Sequence, residues 1–370
     1  MHNDVMILMN DLKVEPEELI VAELAAVERV VRSGWYILGN ELLTFEKEWA
    51  NRCDAAHAIG VGNGMDAIEI GLRALDIGPG DEVITTPMTA FASVLAIIRA
   101  GAIPVLADID PSTALLDPVS VERCISPKTR AILLVHLYGQ VRVMGSWVSL
   151  CNRHGIALLE DCAQAHLAQW DGKTAGCFGS FGAYSFYPTK NLGAMGDGGA
   201  IICNDAVLAN RAKELRNYGQ SVRYHHPVLG LNSRLDELQA ALLSTRLKWL
   251  NDFTERRRQI AKAYHDGITN PTVKLLSVPA QAQSHVYHLF VILSPVRERL
   301  ANFLKESGVQ TFVHYPIPIH EQPPCAELRQ DPRGLVFAEN HAAQCLSIPC
   351  HPQMSDADVQ KVISLINEYK

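Results

Sequence analysis

The sequence predicts an α/β fold, with a mainly parallel sheet in a large domain and a smaller α+β domain at the C-terminus. Strand and helix patterns alternate from residue 56 to about residue 215, which is typical of a parallel sheet covered by helices. Some strand patterns, such as residues 131–135, are almost continuously apolar, as expected of strands buried on both faces. We predict domains at residues 15–248 and 249–370, with residues 1–14 packed against the second.

Two helices are predicted before the alternating region. Apolar residues recur at helical spacing between residues 15 and 33, just before Gly34, and glycine often ends a helix. A second helix fits residues 41–52. The strands predicted next are 56–61, 82–85, 103–107, 131–136, 156–161, 183–187 and 199–203. The helices predicted between and after them are 67–75, 90–99, 119–124, 145–153 and 206–218.

The C-terminal part begins with one long predicted helix over residues 235–266, which would connect the two domains. After it the pattern predicts strands and helices without strict alternation. The segments that give this α+β pattern are 286–293, 297–307, 309–313 and 356–369.

Composition narrows the class of protein. Of 370 residues, 48% are hydrophobic and 20% are charged, which fits a globular enzyme. The net charge of −7 disfavours nucleic acid as a partner, and no apolar run reaches the roughly 20 residues that span a membrane. The nine cysteines show neither zinc-ligand spacing nor a disulfide framework. With no secretory leader pattern at the N-terminus, these features predict a cytoplasmic protein without a metal site.

The most informative stretch surrounds Lys190. Lysines are mostly solvated surface residues, but Lys190 follows a short apolar strand pattern that ends near Ser185 and precedes a glycine-rich turn. Apolar, aromatic surroundings lower the pKa of an amine and make it a Schiff-base nucleophile. We therefore expect Lys190 to be a reactive amine next to a cofactor.

A glycine-rich turn over residues 60–67 leads from a predicted strand into a predicted helix. Backbone N–H groups at such a helix N-terminus bind an anion, although the pattern also fits a simple tight turn. The spacing fails the dinucleotide fingerprint at Ala67, which argues against an NAD-dependent oxidoreductase. A cup for a single phosphate is the better interpretation.

Three further segments have both a structural and a functional interpretation. Asp161 ends a predicted strand, where a carboxylate either caps a helix or holds a heterocyclic nitrogen protonated. Phe91 begins a predicted helix, where it either packs in the core or stacks on a flat cofactor. Asn232 precedes Ser233, which starts a capping-box-like helix N-terminus, so Asn232 either belongs to that turn or binds a ligand.

These segments, in the order in which they follow one another along the chain, resemble the DegT/DnrJ/EryC1/StrS family of nucleotide-sugar aminotransferases. The resemblance runs from about Trp35 to His320, and its most specific motif is Ser185-Phe186-Tyr187-Pro188-Thr189-Lys190-Asn191-Leu192-Gly193. It implies the aspartate-aminotransferase-like fold and the cofactor pyridoxal 5′-phosphate (PLP). A PLP-family sugar dehydratase is disfavoured because those relatives lack the lysine.

The resemblance also implies a role for each cofactor residue. Lys190 would bind PLP covalently and, once displaced, would move a proton between Cα of the amino donor and C4′ of the cofactor. Asp161 would pair with the ring nitrogen. Gln164 would lie beside the ring hydroxyl, and Phe91 would stack on the ring. The implied phosphate ligands are the backbone of Gly64 and Met65, the hydroxyl of Ser185, and Asn232 from the second subunit of a homodimer.

The substrate is implied by three segments, residues 135–140, 232–237 and 314–320. Their residues look most like those of enzymes that aminate C-3 of a dTDP-3-keto-6-deoxyhexose of galactose or glucose configuration. The resemblance implies L-glutamate as the amino donor and a ping-pong mechanism. The predicted substrate residues are Tyr138, Tyr315 and His320, although the last two also fit a proline-stiffened loop.

Two alternatives stay open. The first is C-4 amination of a dTDP- or UDP-linked 4-keto-6-deoxyhexose, and the second is a non-catalytic regulator that binds PLP or a sugar. Leu167 and Leu231 depart from the residues expected of the family, and they affect the substrate prediction rather than the cofactor prediction.

Overall fold

The computed structural model describes residues 6–370 and shows the expected α/β architecture. The strands are β1 His57–Val61, β2 Glu82–Thr85, β3 Ile103–Leu106, β4 Thr129–Val135, β5 Ala157–Asp161, β6 Gln169–Trp170, β7 Lys173–Thr174, β8 Phe181–Ser185, β9 Gly199–Cys203, β10 Lys274–Leu275, β11 Phe290–Leu293 and β12 Cys345–Ile348. The helices are α1 Glu17–Ser33, α2 Asn40–Cys53, α3 Gly64–Ala74, α4 Phe91–Arg99, α5 Pro118–Cys124, α6 Met144–His154, α7 Ala206–Leu215, α8 Glu237–Arg246, α9 Leu250–Gly267, α10 Arg297–Glu306, α11 Val336–Gln344 and α12 Asp356–Glu368.

The central sheet has the strand order β1-β9-β8-β5-β4-β2-β3. The strands from β8 to β3 pair in parallel, whereas β9 runs antiparallel to both of its neighbours. The prediction of a mainly parallel sheet is therefore confirmed. The carboxyl ends of the parallel strands lie along one edge, which is where ligands bind in such sheets.

The sheet is buried on both faces, which explains its apolar strands. On β4, Ile132 and Leu134 belong to one hydrophobic cluster, while Ala131 and Leu133 belong to another on the opposite face. Successive side chains of a strand point to opposite faces. A strand between two cores therefore needs apolar residues at every position.

A second, smaller sheet has the antiparallel order β10-β11-β12. It shares a core with α9, α10 and α12 through residues such as Ile292, Leu300 and Val362. The backbone of Ile7 pairs with Gly308 and Gln310 beside this sheet. Residues 1–5 of the predicted N-terminal segment lie outside the described residues, and the domain boundary at residue 248 stays a prediction.

The prediction of one long helix over residues 235–266 is wrong, because the chain forms α8 and α9 with a break at residues 247–249. Leu243 and Leu247 pack into the core of the large sheet, whereas Ile260 and Tyr264 pack into the C-terminal core. The break lets each helix face a different core. Both segments carry apolar residues at helical spacing, and the sequence pattern does not show which core each of them faces.

The predicted segment at residues 309–313 forms neither a helix nor a strand. Val309 and Phe312 instead form isolated bridges, the first to Ile7 and the second to Ser347. Within residues 6–370, no helix combines the length and the apolar character needed to cross a membrane.

Candidate active site

A cavity of about 100 Å³ opens at the carboxyl ends of β4, β5 and β8. The N-terminal turns of α3 and α4 form its other walls. Six of the predicted cofactor residues line it, namely Gly64, Met65, Asp161, Gln164, Ser185 and Lys190. Segments that are far apart in the sequence therefore meet at one place, because parallel strands bring their carboxyl ends to the same edge.

Lys190 lies in the turn after β8, where its backbone N–H donates to Tyr187 at 2.8 Å. Its side chain is half-buried and lines the cavity. Burial lowers the pKa of the Lys190 amine to about 8, against the opposing attraction of the Asp161 carboxylate. At pH 7 about a tenth of this amine is therefore unprotonated and nucleophilic, far more than for an ordinary lysine.

Asp161 is the last residue of β5 and is only 5% exposed. One carboxylate oxygen accepts a hydrogen bond from Ser93 Oγ at 2.7 Å, and the other accepts one from the Ala163 N–H at 3.0 Å. Both contacts suit an ionised carboxylate, which only accepts hydrogen bonds. Asp161 thus offers a fixed negative charge to the cavity.

The preceding residue, Glu160, points to the opposite face of the sheet, as alternation along a strand requires. Its carboxylate accepts hydrogen bonds from the N–H groups of Gly176, Phe178 and Gly179, and its Oε2 lies 2.9 Å from His136 Nε2. Glu160, His136 and Cys162 lie close enough to hold an ion. The backbone and His136 contacts already satisfy the Glu160 oxygens, which gives this carboxylate a structural role.

The N-terminus of α3 lies on the cavity wall. Asn63 caps the helix, with its side-chain oxygen accepting from the Asp66 N–H at 2.8 Å. Gly64 is packed so closely that an added Cβ would lie 2.7 Å from Ser185 Cβ. The first N–H groups of the helix and the Ser185 hydroxyl therefore lie side by side, and such donors bind phosphate.

Gln164 connects the cavity to the C-terminal part of the chain. Its side-chain oxygen accepts from the Tyr138 N–H at 2.6 Å, and its Nε2 donates to the Tyr315 hydroxyl at 3.2 Å. Burial, together with the nearby Asp161 charge, raises the pKa of Tyr315 to about 12. The Tyr315 phenol is therefore neutral at the cavity edge.

The other predicted residues lie outside the cavity wall. Phe91 begins α4 and is 36% exposed, while its neighbours Ala90 and Ala92 line the cavity. Asn232 is exposed, and its backbone bridges to Asn217. Ring stacking by Phe91 and phosphate binding by Asn232 stay predictions.

The other two predicted substrate residues, Tyr138 and His320, also have protein partners. Tyr138 is fully buried, and its hydroxyl lies 2.6 Å from the His314 carbonyl oxygen and 2.9 Å from His341 Nε2. His320 is partly buried and lies 3.2 Å from Glu339. The burial of Tyr138 indicates a structural role, and contact of either residue with a substrate stays a prediction.

The sequence analysis overlooked Thr89 and Ser93, which line the cavity beside Asp161. Both lie in the segment that drew attention to Phe91. A signal was available, because hydroxyl residues four positions apart at a strand-to-helix turn come to the same face of the first turn. The sequence does not show that α4 packs against the end of β5, which is what places Ser93 beside Asp161.

This fold and site are those of an α/β enzyme whose cavity brings together a lysine, a buried carboxylate and a helix N-terminus. The chain matches the DegT/DnrJ/EryC1/StrS aminotransferase family over residues 17–367. It belongs to this family, which confirms the resemblance seen in the sequence. It is therefore an aminotransferase, and its cofactor is PLP.

Three comparisons illustrate how close the relatives are. The chain is 46% identical to dTDP-3-amino-3,6-dideoxy-α-D-galactopyranose transaminase of Aneurinibacillus thermoaerophilus, over 93% of this chain and 94% of that one. It is 44% identical to dTDP-3-amino-3,4,6-trideoxy-α-D-glucose transaminase of Streptomyces venezuelae, over 97% and 95%. The crystal structure of S. venezuelae DesV in complex with a ketimine intermediate superposes with a TM-score of 0.95, at 43% identity and 98% coverage of both chains.

The residues of the cavity fit PLP chemically. An aldehyde needs an amine, which Lys190 provides at the cavity wall. A phosphate needs several N–H and O–H donors, which the α3 N-terminus and Ser185 provide. A pyridine nitrogen that is to stay protonated needs an acid, and Asp161 is held in the same cavity.

Proposed function

We propose that this protein transfers the amino group of L-glutamate to C-3 of a dTDP-3-keto-6-deoxyhexose. The observation that carries the proposal is near-full-length similarity to two dTDP-3-amino-sugar transaminases, combined with a reactive lysine and a buried acid in one cavity. The reaction runs as two half-reactions, with 2-oxoglutarate leaving before the sugar is aminated. The product is a dTDP-linked 3-amino sugar, of the kind used to build polysaccharides such as O-antigen.

Lys190 is the proposed catalytic residue. Bound PLP supplies an aldehyde that takes up the amino group and a ring that withdraws electrons from the carbon losing its proton. Lys190 would hold the cofactor at rest and, once free, would carry the proton from Cα of the donor to C4′ of the cofactor. In the second half-reaction it would carry a proton from C4′ to C-3 of the sugar. A lysine whose pKa is about 8 is suited to both directions of transfer.

The other cofactor residues bind PLP and orient it. Asp161 pairs with the ring nitrogen, and Gln164 lies beside the ring hydroxyl. Gly64, Met65 and Ser185 bind the phosphate, which is supported by their common position on the cavity wall.

We further propose a homodimer with active sites at the subunit interface, in which Asn232 reaches the phosphate of the partner's site. Exposed apolar side chains around the N-terminus of α8 support this arrangement. Trp35 and Tyr36 are exposed beside Glu237, and Met195, also exposed, donates its N–H to the Gln239 side chain. Asn232 lies five residues before this helix and is itself exposed, as a residue that reaches a partner's site must be in the isolated subunit.

Tyr315 and His320 are proposed to face the sugar, and Tyr138 to support them from the interior. The contact between Tyr315 and Gln164 supports a position next to the cofactor. We also propose that the protein acts in the cytoplasm, which is consistent with nine cysteines that are buried and free in residues 6–370.

The test is incubation of the PLP-loaded enzyme with L-glutamate and a panel of keto sugars. The panel contains dTDP-3-keto-6-deoxyhexoses of both C-4 configurations, dTDP-4-keto-6-deoxyglucose and a UDP-linked counterpart. We expect NMR to locate the new amine at C-3 of a dTDP sugar. Amination at C-4, or of UDP sugars only, would contradict the proposed substrate while leaving the aminotransferase class intact.

A further inference from the structure

Thr89 and Ser93 form a buried pair of hydroxyl groups between α4 and Asp161. Thr89 Oγ1 lies 2.7 Å from Ser93 Oγ, which in turn lies 2.7 Å from Asp161 Oδ2. The three residues are 4%, 1% and 5% exposed, respectively. All three line the cavity that holds Lys190.

The direction of these hydrogen bonds follows from the number of protons available. An ionised carboxylate has no proton to donate, so Ser93 must donate to Asp161. Ser93 has one hydroxyl proton, and this contact uses it. Thr89 must therefore donate to Ser93, and the chain of donors points from Thr89 towards the carboxylate. Hydrogen bonds aligned in this way strengthen one another in a buried site.

Ser93 makes the contact that ties the Asp161 carboxylate to a second element of the fold. The opposite carboxylate oxygen accepts from the N–H of Ala163, two residues further along the same loop. A local contact of this kind moves together with its own loop. The contact from Ser93 instead comes from α4, which is anchored in the core through Val94 and Ile97.

We propose that Thr89 and Ser93 are positioning residues, which orient the Asp161 carboxylate for the ring nitrogen of PLP. This inference rests on the proposed role of Asp161. Ser93 acts on the cofactor through Asp161, and Thr89 acts through Ser93. Groups that orient a ligand-binding residue in this way contribute to affinity without touching the ligand.

The chain offers a matched control, a buried serine whose hydrogen bond to an aspartate has a purely structural role. Ser120 is fully buried, and its hydroxyl donates to the buried carboxylate of Asp331, which also pairs with Arg123. This serine–aspartate pair lies outside the cavity. Ser120→Ala therefore removes the same kind of contact without reaching the cofactor.

The experiment compares Ser93→Ala, Ser93→Thr, Thr89→Val, Ser120→Ala and Asp161→Asn with the wild type. Each protein is titrated with PLP, and each is then loaded with PLP labelled with ¹⁵N in the ring for NMR. For Ser93→Ala we expect about tenfold weaker PLP binding, and a ring-nitrogen resonance displaced towards that of Asp161→Asn. Ser93→Thr should restore both readouts, and Thr89→Val should change them less, in the same direction. Ser120→Ala should lower stability and leave both readouts at the wild-type values.

The outcomes separate this inference from the proposed function. If Asp161→Asn changes both readouts while Ser93→Ala matches the wild type, the positioning role is wrong and the role of Asp161 stands. If Asp161→Asn changes neither, the assignment of Asp161 fails, and the positioning role fails with it. If Ser120→Ala weakened PLP binding and displaced the ring-nitrogen resonance as much as Ser93→Ala, the effect would be one of general destabilisation, and the inference would be overturned. Should Ser93→Ala not fold, Thr89→Val decides, and wild-type readouts there would overturn it.

Discussion

Burial changes what the Lys190 amine can do. The amine lines a cavity whose other charged group is Asp161, and burial lowers its pKa from 10.5 to about 8 although Asp161 opposes the shift. An ordinary lysine is almost fully protonated at neutral pH and is a poor nucleophile. At the level of single residues, the surroundings of Lys190 thus provide the reactivity that the chemistry requires.

This pKa predicts the pH dependence of cofactor uptake. Only the unprotonated amine attacks the aldehyde of PLP, so the rate of covalent binding to the apoenzyme should rise about tenfold per pH unit below pH 8 and level off above it. Stopped-flow absorbance of PLP addition between pH 6 and pH 10 measures this profile. A midpoint near 10.5 would mean that Lys190 behaves as an ordinary exposed lysine. Lys190→Ala is the control and should show no covalent phase.

Helix α3 shows how an element prepares a binding site. Its N-terminus faces the cavity, Asn63 caps it, and Gly64 lets the Ser185 side chain approach closely. Gly64 and Met65 in this first turn line the cavity, and the first N–H groups of a helix have no partner within it, so we propose that they bind the phosphate. The sequence of the turn thus sets the start of the helix and leaves its first residues on the cavity wall, at the proposed phosphate site.

Asn63→Ala should weaken both the helix and the cofactor site. Loss of the cap costs about 1 kcal/mol of stability, and we expect PLP binding to weaken several-fold because the N-terminal turn frays. Urea unfolding and PLP titration measure the two effects. Ser355→Ala is the matched control, since Ser355 caps α12 in the C-terminal core. It should lower stability and leave PLP binding unchanged, and equal weakening of PLP binding in both variants would contradict a local effect.

Individual elements differ in how far the sequence predicts them. Apolar runs predict the strands of the central sheet, and the motifs that follow them predict Asp161 at the end of β5 and Lys190 in the turn after β8. The break between α8 and α9 does not, because it depends on which core each helix faces. Ser93 was overlooked for a related reason, since its contact joins elements 68 residues apart in the sequence.

Over the whole molecule, several histidines are buried in neutral form. Burial lowers the pKa of His166 to about 3, with the positive charge of Lys190 contributing, and lowers the pKa of His341 to about 4. Burial and Lys190 likewise lower the pKa of His314 to about 4. In the unfolded chain each would take up a proton below about pH 6.5. The folded state takes up that proton only at lower pH.

This difference in proton uptake predicts that the free energy of unfolding falls as the pH drops from 6.5 towards 4. In this range the unfolded state binds more protons than the folded state, so each such histidine lowers the free energy of unfolding by up to about 1.4 kcal/mol per pH unit. Urea unfolding at pH 7, 6 and 5 measures the loss. His341→Gln should make the dependence less steep, whereas His154→Gln, at an exposed position, should leave it unchanged. Parallel curves for His341→Gln and the wild type would contradict this account.

The central claim is that Lys190 and its cavity make this protein an aminotransferase. The most direct test is to add L-glutamate, without any sugar, to the PLP-loaded wild type and to Lys190→Ala. The account predicts that the visible absorbance of bound PLP falls in the wild type, and that one equivalent of 2-oxoglutarate appears per active site. Lys190→Ala should give neither change at a comparable rate. Absence of 2-oxoglutarate from the wild type, or equal activity in Lys190→Ala, would contradict the claim.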